Sequence, residues 1–136
     1  MPKRKHRIII DTNLWISFLL TKDLDKLENI IGQNVTLLFS IELLEEFLEV
    51  AQRQKFRKYF TDKDIEKLLL HISEVAEFAP VMSIVNACRD AKDNFLLALA
   101  KDGKADHLIT GDNDLLELKA FGKTKIVTAT EYLSNS

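Results

Sequence analysis

Two aspartates stand where short apolar runs end. Asp11 follows Arg7-Ile8-Ile9-Ile10, and Asp112 follows Leu108-Ile109-Thr110-Gly111. Reacting groups and ligands of open α/β sheets gather beyond the carboxyl ends of the strands, so both carboxylates are placed for chemistry. Asp90, Asp93 and a glutamate between Glu42 and Glu49 can join them. Carboxylates crowded together repel one another unless protons or a metal compensate, and a hard oxygen donor set suits Mg²⁺ or Mn²⁺. The chemistry implied is metal-assisted hydrolysis of a phosphodiester, with a water made more acidic and the phosphate charge offset. Neither a covalent nucleophile nor a histidine base is required. Thr110 and Asn13 can orient waters or ligating groups from behind.

Each acid also has an ordinary structural role open to it. Asp11-Thr12-Asn13 can cap a helix, and Thr110-Gly111-Asp112-Asn113-Asp114 is common turn chemistry. Asp90 and Asp93 have capping-box spacing. Capping explains one strand-end aspartate more easily than two. Of the pair Asp90 and Asp93, Asp93 lies closer to the helix start and reads as a ligand reaching across the sheet end, with Asp90 supporting it or holding water. The helical glutamate stays open at this point. On a wheel from Ile41 to Ala51, Glu45 and Glu46 lie about equally far from the apolar centre, on opposite flanks, while Glu42 and Glu49 fall further round.

The elements that must position these groups follow from periodicity and punctuation. Residues 7–10 read as a buried strand, and Leu14 to Leu20 as a helix carrying Leu14, Trp15, Phe18 and Leu19 inward. A polar stretch from Thr21 to Lys26 leads to a short helix ended by Gly32. Val35 to Phe39 is a second strand, and Ser40 caps a helix from Ile41 to about Arg53. Thr61 or Asp62 caps a helix reaching about Ala76. Phe78 to Met82 is a weak third strand, which Pro80 assigns to an edge. Asn94 to Lys101 is helical with Gly103 at its end, His107 to Thr110 is the fourth strand, Lys125 to Val127 the fifth, and Thr130 to Leu133 begins a last helix. Alternating strands and helices predict a three-layer α/β/α domain on a parallel sheet.

Bulk properties fit one domain spanning 1–136, with a basic N-terminal tail over 1–6. The chain is 46% hydrophobic and 29% charged, with no linker or repeat, and no apolar run approaches the roughly 20 residues a bilayer requires. A single cysteine, Cys88, excludes an internal disulfide and a four-cysteine zinc site, suits the cytoplasm, and reads as a small buried hydrophobe. Net charge is −2. Setting six clustered carboxylates aside leaves +4 on the rest, a balance compatible with a nucleic-acid partner. Lys3-Arg4-Lys5-His6-Arg7 and the run Arg53, Lys55, Arg57, Lys58 read first as solvated faces, the former with phosphate contact as its functional reading. Trp15, Phe18, Phe47, Phe56, Tyr59 and Phe60 read as core or helix packing rather than a base-stacking platform. His6, His71 and His107 read as tail, helix surface and strand.

Four blocks in order, Arg7–Asn13, Ser40–Phe47, Arg89–Leu96 and Ala105–Leu116, resemble the PIN domain, and most closely its prokaryotic single-domain group described as toxin components of toxin–antitoxin pairs. The resemblance implies a five-stranded parallel sheet in the order 3-2-1-4-5 and a Mg²⁺- or Mn²⁺-dependent endoribonuclease acting on single-stranded or loop RNA. It places the catalytic, metal-holding acids on Asp11, Glu46 (rather than Glu45), Asp93 and Asp112, with Asn13, Asp90, Thr110 and Asp114 in support. It further implies a cognate antitoxin as partner and a homodimer or higher homo-oligomer. Ala91, where the group often has proline, departs only in loop stiffness. The alternative is a non-catalytic RNA-binding or protein-interaction module on the same fold. An aspartyl phosphatase is disfavoured, because Asn13 stands where the second acid of the haloacid type would be.

Overall fold

The isoleucines after Arg7 have no polar neighbour to alternate with, and such a run suits a strand covered on both faces. In the computed structural model, which describes residues 6–22, 24–32 and 34–134, they form the centre of the sheet. Strand β1 (His6–Ile10) carries Ile8, Ile9 and Ile10 at no more than 1% exposure. Helix α1 (Thr12–Thr21) follows at once, and α2 (Leu24–Ile31) leads to β2 (Val35–Phe39). Ser40 Oγ accepts the Leu43 N–H at 3.0 Å and starts α3 (Ile41–Ala51). A full capping box between Thr61 and Asp64 starts α4 (Asp62–Ser73). Then come β3 (Ala76–Phe78), α5 (Ala91–Asp102), β4 (His107–Ile109), α6 (Asn113–Leu116), β5 (Ala120–Phe121), β6 (Thr124–Val127) and α7 (Ala129–Ser134).

The sheet order is β3-β2-β1-β4-β6-β5, flanked by helices. Five strands are parallel and in the expected order. The sixth corrects the expected count: β5 runs antiparallel to β6, pairing Ala120 with Lys125 and Phe121 with Thr124. Two residues are too few to show a period. Gly122, at φ 59, opens the two-residue loop, a position that glycine fills without strain.

Other boundaries moved for identifiable reasons. The third strand lies at the edge as expected, but spans Ala76–Phe78 rather than Phe78–Met82. After the Ala79 N–H donates to the Phe39 carbonyl (2.8 Å), Pro80 offers no N–H. The Met82 and Ser83 N–H groups then donate to Asp102 Oδ2 (2.6 and 2.8 Å), which draws the chain onto the end of α5. Helices α1 and α5 begin earlier than their apolar patterns suggest, because Asp11 and Asp90 cap them.

His6, read as tail, opens β1, and Arg7 is half-buried, tied to Glu77 and to the Gly103 carbonyl (2.9 Å). It therefore lies at the opposite end of β1 from Asp11. The rest of that basic patch, Lys3 to Lys5, lies outside the described residues. The core is continuous. Trp15, 1% exposed, donates its indole N–H to the Ile10 carbonyl (3.1 Å) and packs against Phe18, Phe39 and Phe47. Among the described residues no helix is long and apolar enough to cross a membrane.

Candidate metal centre

Backbone pairing brings the first acid into place. The Asp11 N–H donates to the Ile109 carbonyl at 3.0 Å, extending the β1–β4 register by one step and setting Asp11 beside Thr110. The Thr110 hydroxyl, fully buried, donates to Asp11 Oδ2 (2.8 Å) and its oxygen accepts the Asp112 N–H (3.0 Å). One hydroxyl thus fixes both strand-end aspartates. Both also cap helices. Asp11 Oδ1 accepts the Asn13 N–H (3.4 Å), and Asp112 Oδ1 accepts the Asp114 N–H (2.8 Å). Capping and gathering at one place are therefore compatible roles, since each carboxylate keeps further oxygen lone pairs.

Helix α5 supplies the third acid. Asp90, exposed, is the N-cap and accepts the Lys92 N–H (2.9 Å). Asp93, freed from capping, turns inward in the first helical turn and is 4% exposed. Its Oδ2 is buried with no hydrogen-bond partner. Buried polar atoms are almost always partnered, so this oxygen is the observation that fits a cation ligand. Burial, followed by the charges of Asp112 and Asp90, pushes the Asp93 carboxyl up to about 6. Burial likewise raises Asp11, against the lowering effect of Thr110 and Asn13, with Asp112 and Glu46 adding repulsion. These are the shifts expected of carboxylates crowded where no opposite charge balances them.

Helix α3 places its two candidate glutamates differently. Glu45 is exposed, whereas Glu46 is half-buried and faces the same cavity as Asp11, Asp90, Asp93 and Asp112, a space of about 330 Å³. Glu46 pairs with Lys92 Nζ at 3.3 Å. Asn13 also lines the cavity. Asp114 does not line it, yet one of its carboxylate oxygens lies within 4.8 Å of oxygens of Asp93 and Asp112. The acids therefore fall into two overlapping sets that share Asp93 and Asp112. Asp11, whose two oxygens accept from Thr110 and Asn13, lies outside the tight triad. Both sets are hard oxygen donors, the class that Mg²⁺ and Mn²⁺ prefer.

Sequence reasoning missed several neighbours. Thr12 lines the cavity with a buried, unpartnered hydroxyl oxygen. Its only signal was adjacency to Asp11. Lys92 had no signal, because its partner is on another helix. Arg89 pairs with Asp114 at 3.2 Å. Arg53, Lys55 and Phe56, read as a solvated run and as packing, also border the cavity. Cys88 is half-buried rather than buried. Burial and four surrounding aspartates raise its thiol pKa, which disfavours the thiolate a nucleophile would need. His71 is exposed on α4, and His107 stacks with His6 at the other end of the sheet.

Residues 7–114, a range that contains every acid described here, match the family model for the PIN domain. An uncharacterized protein of Methanocaldococcus jannaschii is 33% identical over 128 residues, an alignment covering 88% of this chain and 79% of that protein.

Proposed function

Because the chain belongs to the PIN-domain family, whose members are typically metal-dependent nucleases, we propose that it is an endoribonuclease cutting single-stranded or loop RNA. The observation that carries this reading is the buried, unpartnered Asp93 oxygen facing a cavity lined by four further carboxylates. Asp11, Glu46, Asp93 and Asp112 would hold one or two Mg²⁺ or Mn²⁺ ions, which when bound supply Lewis-acid stabilisation and an activated water. Thr110 orients Asp11 and the Asp112 backbone. Thr12 and Asn13 offer polar atoms at the cavity wall for water or a phosphate oxygen. Asp90 and Asp114 flank the acids, and Lys92 offsets Glu46 until a cation does so.

The test is incubation of end-labelled, mixed-sequence RNA with Mn²⁺, Mg²⁺ or chelator, beside an Asp11→Asn control. Metal-dependent cleavage lost in the control is the expected result. No cleavage, together with no metal-induced rise in melting temperature, would leave the non-catalytic binding module instead. The same reading extends to a cytoplasmic toxin, assembled as a homodimer, whose cognate antitoxin covers the acidic cleft. Its support is the resemblance to the single-domain toxin group, and growth arrest on induction of the wild type but not of Asp11→Asn is the check.

A further inference from the structure

The cavity is polarised along its length. On α3, Leu43, Glu46 and Val50 line it at i, i+3 and i+7, one stripe of a helix, and Arg53 lines it just after the helix ends. The four residues from Glu46 to Val50, at about 1.5 Å per residue, carry that stripe about 6 Å along the helix toward Arg53. On α1, Asn13, Ser17 and Thr21 form a matching stripe, with Ile16 and Leu20 beside it. At the far end Lys55 and Phe56, from the single turn Gln54–Phe56 after α3, close the wall. The acids, with Lys92 paired to Glu46, thus lie together, and Arg53 and Lys55 line the cavity beyond the C-terminal end of α3.

Neither cation is committed. Arg53 pairs with Glu49 at 3.7 Å between two largely exposed groups, a contact that is easily exchanged. Lys55 Nζ lies 5.1 Å from the centroid of the Phe56 ring, and Phe56 is backed by Phe60 at 5.7 Å. A volume of about 330 Å³ suits one small ligand-sized unit rather than a duplex.

We infer that the groove between α1 and α3 is a track for one unpaired RNA strand. In it, Arg53 and Lys55 take phosphates next to the scissile one, and Ile16, Leu20 and Val50 take an unstacked nucleoside. This inference rests on the nuclease reading for its orientation, since the scissile phosphate is assigned to the acidic end. Arg53 and Lys55 are positioning residues. They steer and hold the strand without touching the reacting atoms.

The test uses the full chain and a labelled single-stranded RNA of mixed sequence, read by fluorescence anisotropy in the Asp11→Asn background across a salt series. Arg53→Ala with Lys55→Ala is expected to weaken binding about tenfold per charged contact. The slope of log affinity against log salt should become shallower by about 1.4, at about 0.7 per phosphate released on a single strand. Lys55→Arg should restore its share. Lys63→Ala with Lys67→Ala, exposed on α4 and away from the cavity, should change neither quantity. Mn²⁺ binding by calorimetry in the otherwise wild-type chain should be unaffected by the double substitution, and in cleavage assays KM should rise with little change in kcat.

An affinity and salt slope unchanged by Arg53→Ala with Lys55→Ala, beside a wild type that cleaves, would overturn the track and leave the nuclease standing. Charge-dependent binding without wild-type cleavage would support the track and overturn the nuclease. Equal affinity for the same sequence as a duplex would overturn the assignment to an unpaired strand. Absence of RNA binding altogether would overturn both.

Discussion

Replacing Asp93 with asparagine should stabilise the protein in chelator and destroy its response to metal. The folded carboxyl is pushed to about 6, against an ordinary value of 3.8. Because the folded value is the higher one, the folded state holds the proton more tightly than the unfolded chain. Stability from this group is therefore complete below about pH 4 and is lost as pH rises through about 6. A shift of about two units corresponds to about 3 kcal/mol at pH 8. The opposing benefit, an acid in the first turn of α5 interacting with the helix dipole, is only about 0.3–1 kcal/mol. Repulsion and burial should win.

Asp93→Asn removes the charge while keeping shape and hydrogen-bonding capacity. In chelator at pH 8 its melting temperature should exceed that of the wild type by roughly 5–10 °C, for a domain of this size. The gap should close as pH is lowered from 7 to 4. Added Mn²⁺ stabilises only the wild type, by about 2.7 kcal/mol at about 100 times the dissociation constant, which closes the gap, and by about 4.1 kcal/mol at about 1,000 times, which reverses the order. Thermal unfolding by circular dichroism at pH 4, 6 and 8, with and without Mn²⁺, measures all of this. A variant less stable than the wild type in chelator, or a gap that ignores pH, would refute the reasoning and make Asp93 a structural acid of the helix start.

Asp11→Asn should also raise the metal-free melting temperature, because burial raises this carboxyl too. Asparagine still caps α1, and RNA cleavage should be abolished. Thr110→Val conserves volume but leaves the Asp11 oxygen and the Asp112 N–H without their shared partner. A loss of about 1–3 kcal/mol in urea unfolding is expected, with activity lowered by about 10–100-fold. Glu46→Gln should weaken Mn²⁺ binding measured by calorimetry, whereas Glu45→Gln should not. Equal effects would mean that the half-buried position of Glu46 is irrelevant. Leu97→Ala, at a fully buried site in α5, should cost about 2–5 kcal/mol without altering metal affinity per folded molecule.

Much of the fold is written locally. The apolar runs of β1, β2 and β4, the Ser40 and Thr61 caps and the stop at Gly103 depend only on near neighbours, so their types and approximate limits are legible from periodicity. The same local signals placed Asp11 and Asp112 at strand ends, and with them the idea of a metal centre. The sequence did not reveal β5, whose two residues hold their place through β6, nor the retreat of β3 from Met82, which depends on Asp102 twenty residues away.

The acidic site divides along the same line. Periodicity says which side of α3 is buried, but Glu45 and Glu46 flank that side symmetrically. Only the packing of α1 against α3 puts a cavity on the Glu46 flank, while Glu45 stays exposed. Lys92 on α5 reaches Glu46 on α3 because separate helices converge there, whereas Arg53 and Lys55 border the same cavity from the turn that directly follows α3. Types and local order of the chemical groups come from the chain itself. Their partners come from tertiary structure, because contact between distant segments depends on how whole faces pack, which no short window of residues encodes.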